Sequence, residues 1–237
     1  MIRHGFTFVL LWMLKTVSRI FFRFDWRFVG EVPRDDPWSR LRVVAILHHT
    51  SLFEPIFAGL TPNRFLWTLA CHGVVPIAEK TLDRPLAGSF FRLVAPHVVP
   101  LTRKRDETWE QLLEKVDDAQ SLLVILPEGR MKRRNGLDAR GRPLTVRGGI
   151  ADVLQTVDQG RLLLAYSGGL HHIQAPGDRF PRLLRTARMN LEVVDVPSYR
   201  DALMEKADGD PETFRRLVIE DLTRRRDRYC PPETESG

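Results

Sequence analysis

Beyond residue 25 the chain falls into short apolar runs separated by amphipathic stretches and turn residues. Residues 41–47, 65–70, 97–101, 121–126, 162–166 and 190–196 read as strands. Most of these runs lack polar alternation, the pattern of strands buried on both faces, as in a parallel or mixed sheet covered by helices. Between them, Trp109, Leu112, Leu113, Val116 and Ala119 recur at three- and four-residue spacings, which predicts a helix over 108–119. Residues 148–157 and 211–228 also read as helices. There is no internal repeat and no long linker, so the expectation is one α/β domain over residues 28–237, with a mostly parallel or mixed central sheet flanked by helices.

The first 24 residues, MIRHGFTFVLLWMLKTVSRIFFRF, are the most apolar part of the chain. Their longest uncharged run, from Gly5 to Leu14, is half the roughly 20 residues that cross a bilayer. Lys15 follows it without a cleavage-type small-residue site, so a secretory signal is not indicated either. Lys15, Arg19 and Arg23 are spaced by four, while Leu14, Val17, Phe21 and Phe22 lie off that face, with Trp12 one turn earlier. This predicts an amphipathic helix within residues 1–27 lying in a membrane interface. A surface helix packed on its own domain has the same pattern.

Composition sharpens the picture. A length of 237 residues, 43% hydrophobic and 28% charged, excludes a disordered or collagen-like chain and suffices for one full core. Two cysteines, Cys71 and Cys230, exclude a disulfide framework and a four-thiolate zinc site, and a reducing compartment follows. The net charge of +6 is localised: between Arg130 and Arg147 stand seven basic residues and one acid, Asp138, so the rest of the chain is neutral overall. A second basic excess lies in the N-terminal segment.

Open α/β sheets bind ligands at the carboxyl ends of their strands. The first run there leads into His48-His49-Thr50-Ser51-Leu52-Phe53-Glu54. A histidine at a strand end, followed five positions later by a carboxylate at a helix start, can form a general base and its orienting partner. Ser51 and Glu54 also fit a capping box, in which the carboxylate reaches back to the cap's amide. Run 121–126 ends in Pro127-Glu128-Gly129-Arg130, and run 97–101 is followed by Thr102-Arg103. Arginine binds phosphate through two parallel hydrogen bonds, and glycine lets backbone amides approach an anion.

With these residues in view, the chain resembles the glycerophospholipid acyltransferases typified by 1-acylglycerol-3-phosphate acyltransferase. The family's Asn-His-x-Ser-x-x-Asp stands here as His48 to Glu54; its second motif, an arginine after a short apolar strand, as Val98 to Arg103; and its Phe-Pro-Glu-Gly-Thr-Arg-Ser as Leu126-Pro127-Glu128-Gly129-Arg130. Glu79-Lys80-Thr81-Leu82 and Arg84-Pro85-Leu86-Ala87-Gly88 are similar to the family's connecting Lys-x-x-Leu and Pro-x-x-Gly. The resemblance covers roughly residues 29–177 and implies that His49 is the general base and Glu54 its partner. Arg103, Glu128, Gly129 and Arg130 would hold the acceptor's phosphate or head group. The implied reaction moves a fatty acyl group from acyl-CoA or acyl carrier protein to a lysophospholipid or related lipid hydroxyl. It implies no metal and no cofactor beyond that donor, and it implies a peripheral or monotopic protein on the cytoplasmic face of a membrane.

The sequence departs from the family in three places. The Asn is His48 and the Asp is Glu54; the Thr of the third motif is missing, so Arg130 follows Gly129 directly; and the fourth, Val-Pro-Val-like motif is replaced by Ala165 to His172. These departures point to an acceptor other than the simple phosphatidate precursor, such as another lysophospholipid, an amino-acid lipid or a lipid-linked precursor. Competing readings recruit the same residues. A metal-dependent hydrolase would use His48, His49, His171, His172 and Glu54, although His-Glu-x-x-His spacing is absent. A Cys71 nucleophile would need His72 or His97. Nucleic-acid binding would use the 130–147 cluster, which has no interleaved aromatic residue for base stacking, so no nucleic-acid partner is expected.

Overall fold

The computed structural model of the chain describes residues 2–102 and 106–232. A long helix, α1 (Ile2–Phe21), leads into β1 (Arg23–Phe28), and after an irregular stretch β2 (Leu41–Leu47) follows. A 3-10 helix (Glu54–Leu60), α2 (Asn63–His72), β3 (Gly73–Ala78), the single turn α3 (Glu79–Leu82) and α4 (Pro85–Val94) come next. Then β4 (His97–Leu101), α5 (Glu107–Asp117), β5 (Leu122–Ile125), α6 (Gly149–Thr156) and β6 (Arg161–Ser167) alternate. The chain closes with β7 (Thr186–Asp195), α7 (Val196–Lys206) and α8 (Pro211–Tyr229).

One seven-stranded sheet runs in the order β1-β7-β6-β2-β5-β3-β4. All neighbours are parallel except β6 and β7, so the sheet is mixed and the α/β expectation holds. Strands β2 and β6 are buried almost throughout, as their lack of alternation requires. One face packs against α5, α6, α7 and α8 through residues such as Leu112, Leu154, Phe214 and Leu222. The other is roofed by α1, the 3-10 helix and α2 through Leu11, Phe57, Leu60 and Leu66. The helices begin where their capping chemistry dictates: Asp106 accepts from Thr108 N at the start of α5, Asp195 from Ser198 N before α7, and Asp210 from Thr213 N before α8.

Several sequence readings change. Residues 65–70, expected as a strand, lie inside α2, which buries Phe65, Leu66 and Ala70 and exposes Trp67. A six-residue apolar run fits either period. Strand β3, which the sequence reading passed over, contains Pro76, ordinarily a sign against a central strand. Its register explains the tolerance: β3 pairs with β5 only at Gly73 and Val74, then pairs with β4 alone. The two central strands therefore part at Val75.

The helix expected within residues 1–27 ends at Phe21, and the boundary drawn after residue 27 falls inside β1. Arg23 accordingly stands in a strand rather than on a helical basic face. α1 exposes an apolar row. Its polar side bonds inward: Arg3 Nη2 donates to Pro96 O (2.9 Å), Lys15 Nζ to Asn63 Oδ1 (2.6 Å) and Arg19 Nε to Gly59 O (2.8 Å). Thr7 and Ser18 are buried, while Phe6, Val9, Met13, Val17 and Ile20 recur at helical spacing on the exposed side. Among the described residues no helix is long and apolar enough to cross a membrane.

Candidate active site

The site is assembled where β2, β5 and β6 end. β2 stops at Leu47, and His48 takes a left-handed backbone conformation, φ +67°. A non-glycine residue there costs about 1–3 kcal/mol and persists only where its surroundings fix it. Two hydrogen bonds of its side chain help to fix it. His48 Nδ1 lies 2.9 Å from Ser167 O at the end of β6, and Nε2 lies 3.0 Å from Lys132 Nζ. An ammonium only donates, so Nε2 accepts from Lys132 and Nδ1 donates to Ser167. His48, standing where the family has Asn, thus ties the ends of two adjacent strands to the basic loop.

The turn at His48 aims the next amide at β5, and His49 N donates to Glu128 Oε2 (2.8 Å). The His49 imidazole is buried, with Nδ1 2.9 Å from Glu54 Oε1, off the line of an ideal N–H···O hydrogen bond. The same oxygen accepts from Thr50 N (3.0 Å) and Ser51 N (3.1 Å). Glu54 reaches back to the amides before the 3-10 helix, as a capping box does, and those amides fix the carboxylate that faces His49. Burial opposes a charged imidazolium, but the carboxylates of Glu54 and Glu128 outweigh it, and the His49 pKa is raised above its ordinary 6.5.

Glu128, expected to hold the acceptor, has both oxygens bonded within the protein. Oε2 accepts from His49 N, and Oε1 accepts from Arg226 Nη1 (2.9 Å) of α8, which also donates to Leu144 O. A carboxylate that is 1% exposed needs such a partner. Arg226 is the residue that sequence reasoning missed; it lies 98 positions from Glu128, in a helix outside every motif. Gly129 adopts φ +62°, and a Cβ there would meet nothing, so the conformation rather than space calls for glycine. Its amide is used within the turn, donating to Leu126 O.

Arg130 Nη1 pairs with Asp138 Oδ2 at 2.7 Å. Asp138 also accepts from the backbone amides of Arg142 and Arg140, and with Arg130 these hold its carboxyl well below the usual range. Arg103 lies outside the described residues. The four histidines proposed for a metal point to different partners: His171 Nε2 meets Lys132 O, and His172 Nε2 meets Thr186 O (both 2.8 Å). Among the described residues no group of three His, Cys, Asp or Glu side chains stands together as a ligand set. Cys71 and Cys230 are both free thiols.

His49, Glu54, Glu128, Gly129 and Arg130 line one end of a cavity of about 640 Å³. The rest is largely apolar, with Ile150 on one face of the sheet and Leu11, Phe57 and Leu66 on the other. Val75 to Ala78 of β3 and Val124 to Leu126 also line it. Its lining draws on residues from both faces of the sheet and on the part of β3 that no longer pairs with β5.

No protein-family model matches the chain, and no curated protein matches it in sequence. Among solved structures it is similar to the crystal structure of the 1-acyl-sn-glycerophosphate (LPA) acyltransferase PlsC from Thermotoga maritima. The identity is 15%, the TM-score 0.56, and the match covers 92% of this chain and 79% of that one. The fold is glycerophospholipid acyltransferase-like.

Proposed function

We propose that the protein transfers a fatty acyl group from an acyl thioester, on coenzyme A or acyl carrier protein, to a hydroxyl of a lysophospholipid or related lipid. The observation that carries this reading is the buried His49–Glu54 pair, 2.9 Å apart, at the polar end of an otherwise apolar cavity. With Nδ1 turned to Glu54, Nε2 of His49 takes the proton of the acceptor hydroxyl as its oxygen attacks the thioester carbonyl. Glu54 and Glu128 stabilise the imidazolium so formed. Collapse of the tetrahedral intermediate breaks the carbon–sulfur bond, and the imidazolium returns its proton to the leaving thiolate.

In this reading the apolar cavity receives the acyl chain, because burying methylenes there is favourable by about 0.8 kcal/mol each. Arg130, with Arg103 from the resemblance, meets the phosphate of the acceptor. Glu128 and Gly129 act one step back, Glu128 by holding the His49 amide and Gly129 by shaping the turn that presents Arg130. The exposed apolar side of α1 rests on the bilayer that supplies the acceptor, which makes the protein peripheral or monotopic. Its free thiols and its donors suit the cytoplasmic face.

Mass spectrometry of lipids from cells with and without the protein tests the reading. One lyso-lipid should accumulate, and its acylated product should fall, when the protein is absent. Identical lipid profiles would count against lipid acyl transfer.

A further inference from the structure

The connection from β6 to β7 contains the sequence Arg179-Phe180-Pro181-Arg182-Leu183-Leu184-Arg185. Phe180 is 73% exposed, Leu184 66% and Leu183 50%, and all three arginines are exposed. Single exposed apolar residues are common and need no explanation; three within five positions, each flanked by arginine or proline, form a patch. The segment is also held in place. Leu184 N donates to Phe21 O (2.7 Å), Arg23 N donates to Arg185 O (3.0 Å), and Arg182 N donates to Ile173 O (2.7 Å). Leu184 itself sits in the left-handed region, φ +58°.

Those bonds join the segment to the carboxyl end of α1, where Val17, Ile20 and Phe21 are exposed. The two apolar surfaces are therefore neighbours. Topology fixes which end of the sheet they share: β7 starts at Thr186 beyond Ser167, the end of β6, which is the end where His48 and His49 stand. The same connection reaches the site directly, since Leu170 N donates to Thr50 Oγ1 (2.8 Å) and His171 meets Lys132 O. The chemistry of the patch selects its occupant. Among the described residues the acid paired with the segment is Asp178, whose Oδ2 is 3.9 Å from Arg182 Nη2, while the Arg179 guanidinium lies over the Phe180 ring. Apolar side chains interleaved with arginines suit a surface that is greasy beneath and anionic above.

We propose that the 179–185 segment is a second membrane contact. It inserts Phe180, Leu183 and Leu184 among lipid tails, seats its arginines on lipid phosphates, and turns the mouth of the active site toward the bilayer. The proposal rests on the preceding reading in one respect, that the protein works at a lipid surface.

Sedimentation of the full-length protein with phosphatidylcholine vesicles, with and without phosphatidylglycerol, tests it without any acyl donor present. Replacing Phe180, Leu183 and Leu184 by Ser should weaken binding to both vesicle types about 10-fold or more. Replacing Arg179, Arg182 and Arg185 by Glu should weaken binding to the anionic vesicles alone, about 100-fold. A conservative variant, Phe180→Trp, should gain fluorescence quenching by brominated lipid tails over the parent protein. Unchanged affinity in both triple variants, or no added quenching in Phe180→Trp, overturns the second contact even if Val17→Ser/Ile20→Ser on α1 weakens binding. A shift in oligomeric mass in place of vesicle affinity makes the patch a self-association surface and overturns the proposal as well. A parent protein that binds no vesicles overturns the membrane reading of both surfaces. Intact vesicle binding without acyl transfer removes the catalytic reading and leaves this one standing.

Discussion

Around His49 the carboxylates are met by donors of this chain: Glu54 by two backbone amides and the imidazole, Glu128 by the His49 amide and Arg226. Around Arg130 the balance is reversed. Among the described residues of the loop a single acid, Asp138, serves Arg130 and Arg142 together with two backbone amides, while Lys132 meets His48 Nε2 and Arg134 donates to the His171 carbonyl. The first region is closed and preorganised, and its cost of assembly is met in folding. The second keeps a formal surplus of positive charge, seven basic residues between Arg130 and Arg147 against one acid. In the proposed reaction the two regions divide the labour, with proton transfer at the buried end and anion recognition at the basic end.

Substitutions should separate the two regions. His49→Ala removes the base and should lower turnover about 10²- to 10⁴-fold with the fold intact, read by steady-state kinetics and circular dichroism. Arg226→Met leaves Glu128 buried without its cation, so denaturant unfolding should show a loss of about 3–5 kcal/mol, with Arg226→Lys recovering part of it. If Arg226→Met is as stable and as active as the parent, α8 has no part in positioning the site.

Glu54→Gln should lower turnover about 10- to 100-fold, and its pH profile is more telling than its rate. The working base is neutral His49, whose pKa is raised above 6.5, so the parent's rate should fall as pH drops through a value above 6.5. Without the Glu54 charge, burial acts with less opposition, and that acid limb should move to lower pH. Arg130→Ala should instead raise the KM for a phosphate-bearing acceptor about 10-fold, with kcat little changed. Arg140→Ala, at the exposed outer part of the loop, should change neither constant by more than about 2-fold.

The same contrast marks what the sequence could reveal. The buried region is local in sequence, with His49 and Glu54 five positions apart, a spacing that fits a base and its carboxylate partner as well as a capping box. Glu128 reads in sequence as a holder of the acceptor, and its internal partner Arg226 lies in a helix where any of several arginines, Arg224, Arg225 or Arg228, reads alike. Only the approach of α8 to β5 selects one. The cavity was not legible because its lining comes from segments far apart in the chain, among them β3, whose Pro76 reads in sequence as a reason to discard the strand. α1 shows the opposite limit. Its period correctly gave an amphipathic helix, yet its cations face Asn63 Oδ1 and the Gly59 carbonyl, because long basic side chains can reach inward to such oxygens while the apolar row stays outside.

The central claim is that His49 activates a lipid hydroxyl toward an acyl thioester. Its most direct test is thiol release from acyl-CoA by the purified protein, measured with and without a panel of lysolipids and compared with His49→Ala. Release that requires one acceptor class and vanishes in His49→Ala is the result expected. Release independent of any acceptor, or undiminished in His49→Ala, would contradict the account.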